Sequence, residues 1–332
     1  MLPSARPGNR SSRSRRGPLP RRAVTRAAIA LAALLTALVA AGCGLGAGPA
    51  PTAVNLTVTR NFGATVVRSF SAPQVMGQET VMSLLMRNAS VSTHYGGGFV
   101  QSINGLSGGQ EGGEPVDWFY YVNGVEASKG AADTNVNPGD HIWWDRHDWS
   151  QTDRIPAVVG SFPEPFLNGI GGKRLPLRVE CAVVAGYACR TVTERLRALG
   201  APAAIAALGG GGGESQTLRV AVAPWAQING DSELQGIERG PSSSGVFARF
   251  STNGSTLMLL DQNGRTAATL GAGAGLIAAT STGENAPVWV ITGTDAQGVE
   301  AAARAFDSAT LHNRFAVAVS AAGVTSLPVP SP

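Results

Sequence analysis

The sequence predicts an α+β chain: a β-grasp-like unit, one helix held by a mixed sheet, followed by a mixed α/β unit. Three observations carry this. Apolar Val54, Leu56 and Val58 alternate with Asn55, Thr57 and Thr59, the period-2 pattern of a half-buried strand. The β-forming run Trp118-Phe119-Tyr120-Tyr121-Val122 ends in Asn123-Gly124, a strong two-residue hairpin signal. Later, strand–turn–helix patterns occur at residues 177–199 and 288–306. Composition fits: 43% of the 332 residues are apolar and 14% charged, with 43 Gly and 20 Pro. Such a chain can bury a core and is rich in turns and short strands.

In the first unit, residues 53–153, a strand at 54–59 is followed by a second at 64–70. Val81, Leu84 and Leu85 then share one helical face, with Glu79 and Thr80 near the helix start, where the dipole favours them. Gly96 to Gly98 interrupt the chain before strands at 99–103 and 118–122; Pro138-Gly139-Asp140 forms a turn, and 142–146 closes the sheet. Two strands, a helix and several more strands are most simply arranged as a β-grasp.

The second unit, residues 154–330, opens with a Pro/Gly-rich connector at 154–174. Strands are expected at 177–184, 218–222, 246–250, 257–261, 266–270, 276–280, 288–292 and 315–320, with helices at 191–199 and 299–306. Val183-Val184-x-Gly186 resembles Val290-Ile291-x-Gly293 at an offset of 107 residues. This is either an internal duplication or the pattern any two strand–turn–helix units share. Thr294 and Asp295 are placed to cap the helix that follows. Gly271-x-Gly273-x-Gly275 precedes a strand instead of following one, so it fails the dinucleotide-binding fingerprint.

The N-terminal 42 residues read as a signal peptide. Eight Arg within residues 1–26 precede an apolar stretch at 27–41, the length of a secretory apolar region and short for a membrane span. Ala40-Ala41-Gly42-Cys43 resembles a bacterial lipobox, with Ala40 where Leu is commoner. Cys43 is thus expected to carry lipid and to hold the protein on the outer face of the cell membrane, with 43–52 as a Gly/Ala/Pro linker. Ser14-Arg15-Arg16 leaves export by the general or the twin-arginine route open. Once the leader is removed, 18 basic residues face 22 acidic ones. The net positive charge of the whole chain therefore does not point to nucleic acid. In an oxidising compartment Cys181 and Cys189 are expected to pair, closing a nine-residue loop at a gain of about 2.6 kcal/mol.

Gly98-Phe99-Val100-Gln101-Ser102-Ile103-Asn104-Gly105, Trp118-Phe119-Tyr120-Tyr121-Val122-Asn123-Gly124-Val125, Gly130 and Pro138-Gly139-Asp140-His141-Ile142-Trp143-Trp144 together resemble one domain type. It is the C-terminal domain of the transcobalamin and intrinsic-factor proteins, in the form found on bacterial surface proteins. The resemblance covers about 100 residues and implies a β-grasp. In the animal proteins this domain closes over one face of cobalamin. They carry a large helical toroid ahead of it, which this sequence lacks.

The resemblance implies a small ligand, a corrinoid among the candidates, and as partners a membrane importer or a separate helical-toroid protein. A corrin is a broad disc with a rim of amides, so a matching site needs flat aromatic surface and hydrogen-bonding groups. Tyr95, Phe99, Trp118, Tyr120, Trp144 and Trp149 are the candidate ligand surface, although in alternating strands about half of such side chains must point inward. Asn123-Gly124 reads as turn chemistry before ligand contact. His141 and His147, near Asp145 and Asp148, lack a metal-site spacing and read as surface or loop groups. No nucleophile elbow, zinc-protease motif or phosphate-binding loop is present, so an enzyme is not expected, and no cofactor. The favoured reading is a lipid-anchored, ligand-binding accessory of an uptake system. The alternative is a surface module that docks a partner protein; an envelope hydrolase ranks third.

Overall fold

The computed structural model describes residues 51–71, 73–94, 97–210 and 215–330. The segment 1–42 expected to be a signal peptide, Cys43 and Tyr95 lie outside them. In the first half β1 (Asn55–Arg60) and β2 (Thr65–Phe70) form a hairpin, and α1 (Val81–Asn88) follows. Then come β3 (Val91–His94), β4 (Phe99–Ile103), β5 (Leu106–Ser107), β6 (Gly109–Glu111), β7 (Glu114–Val122), β8 (Val125–Glu126) and β9 (His141–Asp148). The main sheet runs β2-β1-β9-β7-β6, with β8 paired to β7. First and last strands lie parallel at its centre, Leu56 beside Ile142 and Val58 beside Trp144, as a β-grasp requires.

Helix α1 forms where the sequence predicts it. Thr80 caps it, its Oγ1 accepting from the Ser83 amide at 3.2 Å. Glu79 bonds Arg87 at the far end of the helix, at 3.0 Å, so it braces the helix as well as preceding it. Val81, Met82, Leu84 and Leu85 are buried against Leu56, Val58, Ile142, Trp118 and Trp144. Each such burial is worth roughly 1.5–3 kcal/mol relative to exposure.

Strand β9 departs from simple alternation: all residues from Ile142 to Asp148 are buried. Ile142 and Trp144 face α1, while Trp143 on the opposite pleat joins a second core. The sheet is covered on both faces because the second half packs on the face away from the helix. Phe315 is the knob of that contact, with ring centroids 5.3 Å from Trp143, 5.6 Å from Tyr121 and 5.4 Å from Phe62. Residues 49–332 form one compact unit.

The second half contains β10 (Leu177–Cys181), α2 (Tyr187–Ala198), β11 (Ala203–Ala207) and β12 (Leu218–Pro224). It continues with α3 (Gly236–Arg239), α4 (Pro241–Ser244), β13 (Ala248–Phe250), β14 (Leu257–Leu260), β15 (Thr266–Leu270) and β16 (Gly275–Thr280). It ends with β17 (Val288–Gly293), α5 (Ala296–Ala305), α6 (Ser308–Leu311), β18 (Ala316–Ser320) and β19 (Gly323–Leu327). Seven strands form a mixed sheet in the order β11-β10-β12-β17-β16-β18-β19, and β13-β14-β15 form a separate antiparallel sheet. Buried residues of α2 and α5, Val192, Leu196, Val299, Ala302 and Ala303, share one core with the sheet. Gly298 lets α5 close on the sheet, since a Cβ there would lie 2.1 Å from the Ala274 carbonyl oxygen.

Three sequence expectations change. Residues 154–174 are not a loose connector: Ile155, Ala157, Val158 and Val159 are buried, and Phe162 and Phe166 join Trp289 and Phe306 in the helix-side core. The two strand–turn–helix units do share topology, but the residues matched at an offset of 107 are not equivalent. Val183 and Val184 are exposed in a turn, whereas Val290 and Ile291 are buried in β17. Strand β10 ends at Cys181, where a disulfide to Cys189 closes that turn, with Cα atoms 5.9 Å apart. Among the described residues no helix is long and apolar enough to cross a membrane.

Candidate functional site: a cleft between the two halves

The aromatic residues expected at a ligand surface do not meet as one platform. Trp118 is only 6% exposed, and its indole N–H donates to the Leu106 carbonyl at 3.1 Å. Trp144 is 2% exposed and stacks on Tyr120 at 4.9 Å. Both indoles face α1, because even-numbered positions of β7 and β9 point to the helix, so they belong to the core. Tyr120 uses its polar end to pin the loop after β8: its hydroxyl donates to the Lys129 carbonyl at 2.6 Å and lies 2.8 Å from Thr134 Oγ1. Phe99, at the start of β4, and Trp149, just beyond β9, are 37% and 39% exposed.

Asn123 acts in the turn, as the sequence suggests. Asn123 and Gly124 both have positive φ, 55° and 77°, as a tight hairpin turn requires. The buried Asn123 amide donates to Asp140 at 2.9 Å and to the Gly169 carbonyl at 2.8 Å. His147 is not a surface group: it is buried, bonded to Asp145 and stacked between Phe62 and Phe119. His141 Nε2 lies 3.0 Å from Thr57 Oγ1, and burial together with neighbouring His312 pushes its pKa down to about 4.

Open volume is found between the halves. Three clefts of about 630, 680 and 600 Å³ are each walled by residues from both. The largest is bounded by β8, the loop after it, and the segments that precede β12 and β17. Backbone pairing fixes this junction: Val158 N donates to the Gly124 carbonyl at 2.8 Å and Glu126 N to the Pro156 carbonyl at 3.1 Å.

Glu126 is the distinctive group of this cleft. Its Oε2 is buried without a hydrogen bond, 3.7 Å from Arg154 Nε. Burial raises its carboxyl to about 7, with Asp153 adding to the rise and Arg154 and the Ile155 amide opposing it. Both lysines of the chain, Lys129 and Lys173, line the cleft, and Lys173 Nζ donates to Gln216 Oε1 at 2.7 Å. Asn135, Asn137, Gln216 and Asn285 add carboxamides, and among the described residues no aromatic ring lines it. Asp133 and Glu284 line it as well. A carboxyl that titrates near neutrality beside an arginine can exchange a proton when a polar ligand arrives. Sequence reasoning attached no function to any of these residues. The one available signal was that a chain with 26 basic residues has only two lysines.

Residues 78–148 match a family model. It is described as DUF4430, a domain of unknown function, and it spans about a fifth of the chain. The DUF4430 segment starts just before α1, ends with β9, and contains every motif that carries the transcobalamin resemblance. No curated protein and no solved structure matches the chain. The DUF4430 segment supplies Glu126, Lys129, Asn135 and Asn137 to the cleft; the second half supplies Arg154, Lys173, Gln216 and Asn285.

Proposed function

We propose that this protein is a lipid-anchored, extracytoplasmic ligand-binding protein that takes a small polar ligand between its two halves and passes it to a membrane importer. The observation that carries the reading is the junction cleft, where Glu126 keeps a buried oxygen without a hydrogen-bond partner beside Arg154, in a cleft that two lysines also line. Clefts between packed units are the usual place for small-molecule sites. A corrinoid is the ligand the transcobalamin resemblance favours. The four carboxamides of the cleft suit its amide rim, while the flat aromatic surface that would meet a corrin face is absent from the described lining; the second half would supply the surface that the toroid supplies in the animal proteins. Anchoring rests on the lipobox-like Ala40-Ala41-Gly42-Cys43 and on the length of the apolar stretch before it.

Calorimetry and visible spectroscopy with cobalamin test the ligand. Binding that shifts the spectrum and weakens in Lys173→Ala and Glu126→Gln supports the corrinoid reading; no binding and no spectral change rejects it. Fatty-acid labelling that disappears in Cys43→Ala supports the anchor. A soluble, unlabelled chain with its leader intact rejects it.

One observation favours docking of a partner protein as a second reading. Val183, Val184 and Tyr187, 66%, 45% and 43% exposed, stand on the disulfide-closed turn between β10 and α2.

A further inference from the structure

The seven-stranded sheet ends at β11 (Ala203–Ala207), and among the described residues no strand pairs with its outer side. No charged residue occurs from Ala198 to Gly213, although exposed sheet edges are commonly guarded by charge. The edges of the grasp sheet, β2 and β6, carry Arg68 and Glu111. Exposed apolar surface gathers around β11. Of the eleven large apolar side chains exposed among the described residues, five fall between residues 183 and 205: Val183, Val184, Tyr187, Leu199 and Ile205. Pro202, Ala204 and Ala207 are exposed beside them.

Backbone pairing decides which groups of β11 face outward. Cys181 is in register with Ala207, and its carbonyl accepts from Leu208 N at 3.3 Å. In a parallel ladder this directs the N–H and C=O of residues 204 and 206 to β10, and those of 203, 205 and 207 away from it. Three of the outward groups are satisfied nearby. Ala203 N donates to the Ala201 carbonyl at 2.8 Å, the Ala203 carbonyl accepts from Arg197 Nη2 at 2.8 Å, and the Ala207 carbonyl accepts from Gly210 N at 3.0 Å. The N–H and C=O of Ile205 and the N–H of Ala207 bond no described residue. The open backbone is therefore centred on Ile205.

Ala203-Ala204-Ile205-Ala206-Ala207 reads the same in both directions, so an antiparallel copy presents a matching side chain at every position. We propose that β11 is a self-association edge that joins two copies of this chain across a two-fold axis at Ile205. Ile205 then faces Ile205 of the second copy, and the two exchange both N–H···O=C bonds, as a hydrogen-bonded pair of an antiparallel ladder does. A two-fold contact sets one patch against itself. A charge at the axis would meet its own kind, and this edge has none. Antiparallel pairing also sets the start of one β11 beside the end of the other. Leu199 and Pro202 lie just before the start, and the Val183-Val184 turn follows β10 at the end, where Leu208 bonds Cys181. The contact thus brings exposed apolar groups of the two copies together. It gives the exposed turn a partner and is independent of the ligand assigned to the Glu126 cleft.

Sedimentation of the full-length chain in mild detergent, over a range of concentrations, tests it. A monomer–dimer equilibrium is expected. Ile205→Lys sets two ammonium groups against each other at the axis and should raise the dimer dissociation constant roughly 10-fold or more, while leaving cobalamin titrations as they are in the parent. Val183→Ser combined with Val184→Ser should weaken the dimer in the same direction. In a Cys43→Ala background, Ile205→Cys should form a disulfide between chains on mild oxidation. Val324→Cys, similarly exposed on β19 at the opposite end of the sheet, should not. If Ile205→Lys fails to fold, the cross-linking pair still decides. A chain that stays monomeric, a dimer that Ile205→Lys leaves as stable as the parent, or assemblies that grow beyond two copies would overturn the proposal. So would a monomer that binds phosphatidylglycerol vesicles and loses that binding in the double valine variant, since the patch would then serve a lipid surface.

Discussion

Asp145 and His147 lie on the same pleat of β9, with the carboxylate 2.9 Å from the imidazole Nδ1, and both side chains are buried. The same carboxylate accepts from Thr59 Oγ1 at 2.5 Å and from the amides of Phe62 and Gly63 at 3.0 and 2.9 Å. Asn61, Phe62 and Gly63 all have positive φ, 57°, 56° and 81°, which turns their N–H groups into a concave anion receptor. Asp145 fills that receptor. Phe62 is thereby swung onto the His147 ring, stacked at 4.7 Å, and against Phe315 of the second half. One carboxylate thus connects the β1–β2 turn to the contact between halves.

Asp145→Ala should therefore cost more than one lost hydrogen bond. It strands two amides, a hydroxyl and an imidazole in a dry site, at about 3–5 kcal/mol. Asp145→Asn keeps an acceptor for the turn and should lose less. Urea unfolding of both variants checks the order; equal losses would mean that the turn does not depend on the acceptor.

Glu126 gives stability a pH dependence of definite sign. Its folded pKa, about 7, lies above the ordinary glutamate value of 4.5. Between those values the folded state holds a proton that the unfolded state has released, so its contribution declines as pH rises from 4.5 to 7. Glu126→Gln removes that decline. The variant should gain stability on the order of 2–3 kcal/mol relative to the parent between pH 4 and pH 8. Thermal unfolding at the two pH values measures it, and parallel shifts at both would refute the assignment.

His141 acts in the opposite direction. Its folded pKa, about 4, lies below the ordinary histidine value of 6.5. As pH falls from 6.5 towards 4 the unfolded chain gains a proton that the folded chain refuses, so stability falls with acid. His141→Gln, which can still bond Thr57, should flatten that acid limb by roughly 1–3 kcal/mol and leave stability at pH 8 little changed. Between pH 4.5 and 6.5 the two groups oppose each other. The double variant should therefore show the flattest profile of the set.

What was legible in the sequence was local. Alternation at 54–59 marks β1, whose Leu56 and Val58, with Val54 just before the strand, join the α1 core. The spacing of Val81, Leu84 and Leu85 marks the buried face of α1, and Asn123-Gly124 marks its turn. The misreadings share one cause: the packing of the second half on the grasp sheet is non-local. Without it, a run such as Trp143-Trp144 looks half-exposed and 154–174 looks like a linker. Strand β11 (Ala203–Ala207) was missed because five Ala and Ile residues carry little β signal away from their neighbour β10. The clefts were hidden for the same reason, since each needs walls from segments far apart in sequence. Glu126 reads as an ordinary hairpin glutamate until Pro156 and Arg154 are brought beside it.

That non-local contact can be tested at Phe315. Its ring meets Phe62, Tyr121, Trp143 and His147 of the grasp sheet at 5.3–5.6 Å, yet it belongs to the chain leading into β18. Phe315→Ala removes the only one of those five rings that the second half contributes, and should cost about 3–5 kcal/mol. The four tryptophans before residue 153 report on the first half, and Trp225 and Trp289 on the second. Because one core joins Trp143 and Trp225, unaltered protein should unfold in a single transition by every probe. In Phe315→Ala the first-half tryptophans, separated from the others by Trp→Phe substitution of Trp225 and Trp289, should unfold at lower urea than the second half. Coincident transitions in the variant, or separate ones in the parent, would show that the grasp sheet does not draw its stability from this ring.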